Sequence, residues 1–365
     1  MAGGVAIVGA GGFVGARLLE MTALAGRTDV VPIVRAFRSV GRSAHLGVRH
    51  RIADALRPDT LTGALAGCDV VVNLTTGRPS DIVAVTRSVY DAAVAVGART
   101  VVHMSSAAVY GQVDRPGLPD DAPPPPDHWM PYARQKGLAE SFLRARMGHS
   151  RPAIVVLRPS LVWGPGSPWV LGPANEILSG SAYLVGDGAG VCNLMYVDNL
   201  VRSILAVVDD PEPAPGFFHV GDDADLTWRE YYAALAAGLG VDAATIHAVA
   251  MARYRIGPRD ALETLRSSPA YTWLKERIPL ETRSLVKLRL ARGRRGAEAQ
   301  PNARPTVTRA MWDLQTTRYP LPTDAFRAAY GHHNETSFAS GLSASLEWLG
   351  FIGVRGPDRP AMRPN

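Results

Sequence analysis

The sequence predicts an α/β fold, with a doubly wound parallel β-sheet and a smaller, mostly helical C-terminal part. Two observations support this prediction. Through the first 160 residues, short apolar runs alternate with segments of helical periodicity, as in parallel sheets covered by helices on both faces. Beyond Leu226 the pattern becomes mostly helical, beginning with Trp228–Leu239 behind a cap-like Thr227. A chain of 365 residues is long enough for two domains, or for one elaborated domain with a large core.

The individual elements follow from where each apolar run begins and ends. Predicted strands are Val5–Val8, Val30–Val34, Arg49–Ile52, Asp69–Leu74, Thr100–Met104 and Ala153–Leu157. Predicted helices are Phe13–Ala25, Leu61–Leu65, Ile82–Val96, Pro131–Met147 and a short one near Ala174–Leu178. A Pro- and Asp-rich segment at 114–129 predicts a surface loop, either a lid or a passive connection.

Composition argues against several classes of protein. Apolar residues make up 47% of the chain and charged residues 20%, as in globular proteins. No stretch approaches the roughly 20 apolar residues of a membrane span, and the N-terminus lacks signal-peptide features. The two cysteines, Cys68 and Cys192, lack metal-ligand spacing. We therefore expect no metal site and a cytoplasmic location.

The net charge of +6 is concentrated in one segment. Residues 251–296 contain 12 Arg or Lys and 4 Asp or Glu, a net charge of +8, so the rest of the chain is slightly acidic. This distribution argues against nucleic-acid binding. Within the segment, residues 280–295 alternate Leu and Val with Arg and Lys. That pattern is typical of a solvated helix face, or of a basic amphipathic helix that makes weak contact with an anionic membrane surface or binds an acidic partner.

A glycine-rich turn follows the first predicted strand. Its spacing is Gly9-x-x-Gly12-x-x-Gly15, without the glycine at position 14 that the commoner GxGxxG pattern requires. Between a strand and a helix, such a turn brings a dinucleotide pyrophosphate against the helix N-terminus because no Cβ blocks the approach. The alternative is a tight turn without a ligand. We predict a Rossmann-type NAD(P)-binding domain over residues 1–160, completed by about 194–221.

Arginines near the end of the second strand favour NADP over NAD. Arg35 stands there, with Arg38 and Arg42 close behind, where an acidic residue would bind the ribose 2′-hydroxyl of NAD. A guanidinium group suits a 2′-phosphate instead, because it can form bidentate hydrogen bonds. The alternative is that these arginines are only solvated.

A tyrosine, a lysine and a serine predict hydride-transfer chemistry. In "YARQK", Tyr132 and Lys136 are four residues apart on one helix face, where a lysine ammonium favours the phenolate of a tyrosine whose usual pKa is about 10. In "HMSSAAVYG", Ser106 follows a strand and is placed to donate to a substrate carbonyl. Together they predict transfer of hydride between the nicotinamide and a secondary alcohol or ketone of a small molecule.

The motifs resemble the extended short-chain dehydrogenases/reductases, also called the NAD-dependent epimerase/dehydratase family. The resemblance rests on "GAGGFVG", "AD" at 53–54, "NLTT" at 73–76, "SSAAVYG", "YARQK", "LRPSLVWGPG" and "YVDNLV". It implies a catalytic triad of Ser106, Tyr132 and Lys136, and a homodimer formed through Ile82–Val96 and Pro131–Met147. The cofactor contacts that it implies are Gly9, Gly12, Phe13, Val14, Gly15, Asp54, Ala55, Leu74, Thr75, Thr76, Ser105, Tyr132, Lys136 and Pro159.

Four positions depart from the family pattern and narrow the chemistry. Ala107 and Ala108 stand where family dehydratases carry Asp-Glu, which argues against water elimination. Leu161 and Cys192 stand where many nucleotide-sugar enzymes carry an asparagine and an arginine that hold the substrate diphosphate. We therefore expect an NAD(P)-dependent oxidoreductase. The alternatives are an NAD-dependent sugar epimerase and, from another class, a non-catalytic NADP-binding sensor or scaffold protein.

The substrate-binding part is expected to comprise residues 161–193 and 222–365, with the basic segment inside it. Besides Ser106, the weaker candidates for substrate contact are Trp163 and Asn193. Ordinary packing is the alternative for both.

Overall fold

The computed structural model describes residues 3–148, 151–250, 253–254, 257, 305–331 and 333–356. The predicted basic helix at 280–295 lies outside the described residues. The chain divides into two compact units. The first comprises Met1–Val170, Asn193–Asp225 and Arg318–Ser345, and the second comprises Leu171–Cys192, Leu226–Thr317 and Leu346–Asn365. The first unit therefore extends beyond the predicted NAD(P)-binding domain, because Arg318–Ser345 joins it.

A parallel β-sheet forms the centre of the first unit. The described strands are β1 (Gly4–Val8), β2 (Val30–Val34), β3 (Arg51–Ile52), β4 (Cys68–Asn73), β5 (Thr100–Met104), β6 (Ala153–Pro159), β7 (Leu161–Trp163), β8 (Tyr183–Val185), β9 (Leu194–Tyr196), β10 (Gly216–Val220) and β11 (His247–Val249). Seven of them pair in the order β10-β6-β5-β4-β1-β2-β3, and every pairing is parallel. This order confirms the predicted doubly wound sheet, with the change of winding direction between β1 and β4.

Six of the ten described helices correspond to predicted ones, and three of those six agree with the prediction to within one residue at each end. Those described are α1 (Phe13–Leu24), α2 (Pro58–Leu65), α3 (Ile82–Ala95), α4 (Pro131–Arg144), α5 (Pro168–Leu178), α6 (Val197–Asp209), α7 (Trp228–Leu239), α8 (Arg309–Gln315), α9 (Asp324–Tyr330) and α10 (Phe338–Phe351). Helix α5 begins well before the predicted Ala174, because Pro168 starts it and Pro173 is accommodated inside it. Helix α4 ends before the predicted Met147.

Apolar layers cover both faces of the sheet. On one face, Ile7 and Val102 pack with Leu18 of α1 and Ile204 of α6. On the other face, alternate strand residues pack against α2 and α3; the members include Ala6, Val71, Leu61, Val89 and Val101. Burial on both sides explains why these strands are continuous apolar runs in the sequence.

The second unit contains the strand pair β8–β11 and the helices α7 and α8. Helix α7 begins with a capping box, in which Thr227 accepts from the Glu230 N–H and Glu230 accepts from Thr227. Behind it, the Trp228 indole donates to the Leu314 carbonyl at 3.0 Å. In the part of the chain that the structure describes, no helix combines the length and hydropathy required to cross a bilayer.

Candidate active site

The glycine-rich turn follows β1 at the carboxyl edge of the sheet. Gly9 has φ of +93°, and a Cβ there would lie 3.1 Å from the backbone of Leu74 and Thr75. A Cβ on Gly15 would lie 2.4 Å from the Gly9 carbonyl oxygen. Gly12 is exposed, and a Cβ there would be 3.3 Å from that same oxygen. The chain's own backbone thus requires Gly9 and Gly15, while Gly12 faces outward.

The N-terminus of α1 opens from this turn. Gly12 is its N-cap, no side chain caps it, and its first turn contains no acidic residue. The leading N–H groups belong to Phe13, Val14 and Gly15, and with the positive end of the helix dipole they suit an anion. These features fit the pyrophosphate of a dinucleotide.

The arginines lie beside the same edge, because β2 is the parallel neighbour of β1. Arg35 directly follows β2, and Arg38 lies in a short 3-10 turn, Phe37–Val40. Both side chains are exposed. A Cβ on Gly11 would lie 2.4 Å from the Ser39 carbonyl, so the arginine segment packs directly against the glycine turn.

Two further predicted cofactor residues follow β3. The Asp54 carboxylate accepts from the Leu56 N–H at 3.0 Å, and Ala55 is buried. The Asp54 side chain thus stabilises its own turn. The groups that this turn presents at the carboxyl edge of the sheet are therefore backbone groups.

The predicted cofactor residues after β4 and β6 are held by local hydrogen bonds. Leu74 donates its N–H to Val8 of β1 at 2.9 Å. The Thr75 hydroxyl donates to the Asn73 side chain at 2.6 Å, and Thr76 is exposed. Pro159, the last residue of β6, is buried opposite Val220 of β10.

The structure brings Ser106, Tyr132 and Lys136 together. Ser106 follows the end of β5, caps a short 3-10 turn by accepting from Ala108 at 3.2 Å, and hydrogen-bonds to Tyr132. Tyr132 lies in the first turn of α4. The Lys136 Nζ donates to the Met104 carbonyl at 2.6 Å and lies 6.0 Å from the centroid of the Tyr132 ring. The three side chains therefore meet at the carboxyl end of β5.

The electrostatics of these residues differ from expectation. Burial raises the pKa of Tyr132 above its usual 10.0, and the hydrogen bond with Ser106 opposes that rise. Lys136 directs Nζ at the Met104 carbonyl, so its charge acts on the Tyr132 hydroxyl across space rather than through a direct hydrogen bond. Burial lowers the pKa of Lys136 to about 8, and the negative charge of Glu140 opposes that shift. At neutral pH Tyr132 holds its proton and is suited to donate it.

A family model described as "NAD dependent epimerase/dehydratase family" matches residues 5–221. The chain belongs to this family. The match contains the glycine turn and the Ser106, Tyr132 and Lys136 positions, and it confirms the predicted extended short-chain dehydrogenase/reductase and the prediction of an enzyme. The alternative of a non-catalytic sensor or scaffold is set aside.

Several curated relatives are similar over much of their length. A 3-diazoavenalumate denitrifying reductase of a Streptomyces species is 30% identical, over 58% of this chain and 79% of that protein. A 2-alkyl-3-oxoalkanoate reductase of Stenotrophomonas maltophilia is 28% identical, over 69% and 81%. An N-acetyl-alpha-D-glucosaminyl-diphospho-ditrans,octacis-undecaprenol 4-epimerase of Escherichia coli O157:H7 is 27% identical, over 67% and 74%. The relatives thus include both reductases and epimerases.

Solved structures confirm the fold. A dTDP-glucose 4,6-dehydratase from Streptomyces venezuelae with NAD and DAU bound has a TM-score of 0.67 and 21% identity, covering 94% of this chain and 96% of that one. A UDP-glucuronic acid 4-epimerase from Bacillus cereus, in complex with UDP-glucuronic acid and NAD, has a TM-score of 0.66 and 16% identity, covering 95% and 99%.

Both weaker candidates for substrate contact have structural partners. Trp163 is fully buried, its indole donates to Asp222 at 3.0 Å, and its ring packs on Tyr196 and Phe338 with centroids 5.1 and 5.3 Å away. These contacts favour the packing alternative for Trp163 over substrate contact. The Asn193 side-chain oxygen accepts from the Leu321 N–H at 3.0 Å, so the amide oxygen of this second candidate has a structural partner.

A buried ion pair beneath the epimerase/dehydratase-family site was not predicted. Arg158 donates from Nε and Nη2 to the two carboxylate oxygens of Glu140, at 3.0 and 2.6 Å, and both side chains are fully buried. The only signals in the sequence are the position of Glu140 four residues after Lys136 and the arginine in "LRPSLVWGPG". Nothing local in the sequence shows that the two residues meet.

Proposed function

We propose that the chain is an NADP-dependent reductase that transfers hydride to the ketone of a small molecule. The observation that carries this proposal is the hydrogen-bonded Ser106–Tyr132 pair, with Lys136 buried one helical turn away. Ala107 and Ala108 follow Ser106 directly, so this turn offers no carboxylate to remove or deliver a second proton. One proton donor is sufficient for carbonyl reduction.

Each hydroxyl has a role in that reaction. Ser106 donates a hydrogen bond to the substrate carbonyl oxygen and aligns it with the phenol. Tyr132 transfers its proton to that oxygen as the carbonyl carbon is reduced, and the positive charge of Lys136 stabilises the phenolate that remains. The residues of the glycine turn would hold NADPH, which would supply the hydride. In the oxidative direction the same residues act in reverse.

The choice of NADP rests on Arg35 and Arg38. Both are exposed at the carboxyl end of β2, beside the glycine turn. Two guanidinium groups at this edge favour a dianionic 2′-phosphate over a neutral hydroxyl. The NAD in the solved relatives keeps NAD as the alternative cofactor.

The proposed substrate class rests on two points: the site lacks polar partners for a nucleotide-sugar diphosphate, and two relatives are named as reductases of a ketone. Two relatives are named 2-alkyl-3-oxoalkanoate reductases, so 2-alkyl-3-oxoalkanoates are the first substrates to test. Leu161 is apolar and Cys192 is fully buried, so neither replaces the polar partners of a nucleotide-sugar diphosphate.

A 4-epimerase is the second candidate, favoured by the 27% identity to the undecaprenol-diphosphate sugar epimerase. Tyr132 would then take the proton of a hydroxyl while the cofactor would accept hydride from the same carbon, and would give the proton back to the oxygen when the hydride returned to the opposite face of that carbon. Such a reaction regenerates its cofactor in place, so the protein would purify with NAD(H) bound.

Two predicted properties of the whole molecule also remain proposals. A homodimer is supported by the adjacent helices α3 and α4, where the apolar side chains of Val94 and Leu138 are each 46% exposed. A cytoplasmic location is supported by the two free, buried cysteines.

The test begins with the purified protein. Its bound nucleotide is identified, NADPH and NADH are titrated, and NADPH oxidation is followed with 2-alkyl-3-oxoalkanoates. We expect tighter binding of NADPH, turnover of the ketone, and loss of turnover but not of cofactor binding in Tyr132→Phe. The double variant Arg35→Ala/Arg38→Ala should weaken NADPH binding by about 10- to 100-fold and leave NADH unchanged.

Three results would contradict the proposal. Tightly held NAD(H) with sugar epimerisation would favour the second candidate. Full turnover in Tyr132→Phe would remove the proton donor. Binding of neither nucleotide would exclude the reaction altogether.

A further inference from the structure

Three hydrogen bonds join helix α4 to the residues at the end of β5. Tyr132 bonds to Ser106, and Lys136 donates to the Met104 carbonyl. The third links Ser105, whose hydroxyl donates to Glu140. The helix partners are four residues apart, so they share one face of α4. Glu140 thus completes a set whose other two members carry the proposed chemistry.

Arg158 holds Glu140 from the neighbouring strand. Strands β5 and β6 pair in register, and Ser105 donates its N–H to the Leu157 carbonyl at 2.8 Å, directly before Arg158. With both carboxylate oxygens bound to the guanidinium, Glu140 can neither rotate nor release the Ser105 hydroxyl without breaking a buried ion pair.

The remaining N–H groups of Arg158 reach the Pro-rich loop. Nη1 donates to the Asp120 carbonyl at 2.6 Å and to the Tyr110 hydroxyl, and Nη2 lies 3.3 Å from the Ala122 carbonyl. Tyr110 itself donates to Ala122 at 2.9 Å. The Asp120 carboxylate accepts from the backbone N–H of His219 on β10. One fully buried guanidinium therefore contacts both the catalytic helix and the loop.

We propose that Arg158 and Glu140 are positioning residues, which hold Ser105–Ser106 in register with Tyr132 and clamp the Pro-rich loop as a fixed element rather than a lid. The part of this inference that concerns turnover rests on the proposed reductase function. The part that concerns clamping of the loop does not depend on that function.

A gain in stability on burial does not explain the Arg158–Glu140 ion pair. A buried ion pair generally contributes no more stability than apolar side chains of similar size, because both charges must be desolvated. Geometry gives this pair another use, since it fixes the backbone that carries Ser106. Its charge also reaches the lysine, because Glu140 raises the pKa of Lys136 against the effect of burial.

The main test uses the double variant Glu140→Leu/Arg158→Met, which removes both charges and preserves an apolar interior. Its fold is checked by circular dichroism and thermal unfolding. We expect a folded protein whose kcat for ketone reduction falls by about 10- to 100-fold, because the reacting hydroxyls lose their register. NADPH affinity should stay at the wild-type value. Arg327→Met, which removes the partner of Asp223 on the surface, is the control and should retain wild-type kcat.

Arg158→Lys separates the two roles. A lysine can pair with Glu140, but it lacks the fork of donors that reaches the loop carbonyls. We expect its kcat to recover toward wild type while the loop stays released. If the double variant does not fold, Arg158→Lys and Glu140→Gln, described below, still test the proposal.

Hydrogen exchange measures the clamp without any substrate. In the wild type, the Ala122 amide, which donates to the Pro119 carbonyl at 3.0 Å between the two carbonyls that Arg158 contacts, should exchange slowly, and in Arg158→Lys and the double variant it should exchange at least about tenfold faster. Arg327→Met should match the wild type. Unchanged exchange in both variants would overturn the clamp even if the protein proves to be a reductase. Faster exchange in a protein that reduces no ketone would support the clamp and reject only the function.

The pH profile distinguishes positioning from simple stabilisation. Glu140→Gln keeps an oxygen for the Ser105 hydroxyl but removes the charge that raises the pKa of Lys136. The fall of kcat at high pH should therefore move to lower pH. A double variant with wild-type kcat, or a Glu140→Gln profile that does not move, would reduce the pair to a stabilising contact and contradict its positioning role.

Discussion

Lys136 donates to the Met104 carbonyl at 2.6 Å, and its ammonium lies 6.0 Å from the centroid of the Tyr132 ring. The lysine therefore acts on the tyrosine through its charge rather than through a direct hydrogen bond. Burial lowers the pKa of Lys136 from 10.5 to about 8, so that charge is lost under mildly alkaline conditions. We predict that kcat for ketone reduction falls as the pH rises through about 8. A profile that stays flat to pH 10 would show that the charge has no role.

The same lysine predicts a stability change of opposite sign. Because its folded pKa is below the unfolded value of 10.5, the unfolded chain binds more protons between about pH 8 and 10.5. The cost of burying the charge is complete below pH 8 and disappears as the pH rises through that window. Relative to Lys136→Met, the wild type should therefore gain unfolding free energy from pH 8 to 10, measured by urea denaturation. A constant difference between the two proteins would contradict the lowered pKa.

Two glycine substitutions separate close packing from ordinary helix propensity. Gly15→Ala places a Cβ 2.4 Å from the Gly9 carbonyl oxygen, so the turn must shift. We expect a loss of about 1 to 3 kcal/mol of unfolding free energy and weaker NADPH binding. Gly63→Ala, on an exposed turn of α2 with open space around it, is the matched control and should stabilise by about 0.5 to 1 kcal/mol. Equal effects of the two changes would contradict the tight packing at Gly15.

The periodic parts of the fold could be predicted from the sequence because their causes are local. Strands β2 and β5 and helix α7 have the predicted bounds, since each is an apolar or amphipathic run between clear turn signals. Helix α5 differs because its start depends on Pro168, inside a segment rich in Gly, Pro and Ser that predicts loop. There, tertiary packing outweighs the local signal.

Trp163→Phe tests whether the tryptophan has a packing role or contacts the substrate. The change removes the N–H that bonds to the half-buried Asp222 carboxylate, which keeps Asn199 and the Tyr196 N–H as partners. We expect the free energy of unfolding to fall by about 1 to 3 kcal/mol, with KM for the ketone unchanged. Denaturation and steady-state kinetics on the same preparation give both values. A higher KM at wild-type stability would return Trp163 to the substrate site.

Asp120→Asn tests the electrostatics of the Pro-rich loop. Burial raises the pKa of Asp120 to about 6, although the hydrogen bond from His219 and the charge of Arg158 oppose the rise. Since the folded pKa exceeds the usual 3.8, wild-type stability should fall as the pH rises from about 4 to 6. The asparagine keeps an acceptor for the His219 N–H and has no such dependence, so it should be the more stable protein at pH 7.5.

The measurement is the difference in urea midpoint between wild type and Asp120→Asn as a function of pH. His219, whose pKa burial lowers to about 4, has its Nδ1 3.5 Å from the Asp120 carboxylate, so the difference is evaluated between pH 5 and 7, above the titration of that histidine. A difference that does not change with pH would contradict the raised pKa of Asp120.

The candidate site was predictable only as far as motifs extend. Ser106, Tyr132 and Lys136 meet as the sequence predicts, because the strand end and the helix face are each set by local pattern. Arg158 and Glu140 were missed because they are 18 residues apart in sequence and meet only when β6 pairs beside α4. The direction of the Lys136 side chain was missed for the same reason: the Met104 carbonyl that it contacts is a tertiary neighbour.

The late return of residues 318–345 to the first unit has a consequence for synthesis of the chain. Phe218 of β10 packs against Phe326 and Tyr330, and Asn199 donates to the Thr336 carbonyl at 2.9 Å. One apolar face of residues 5–221, the region that the family model matches, is therefore covered only by residues far downstream in the sequence. During translation that face stays open while more than a hundred further residues emerge. A fragment ending near residue 225 would keep it open permanently and present chaperones, or other fragments, with an aromatic surface.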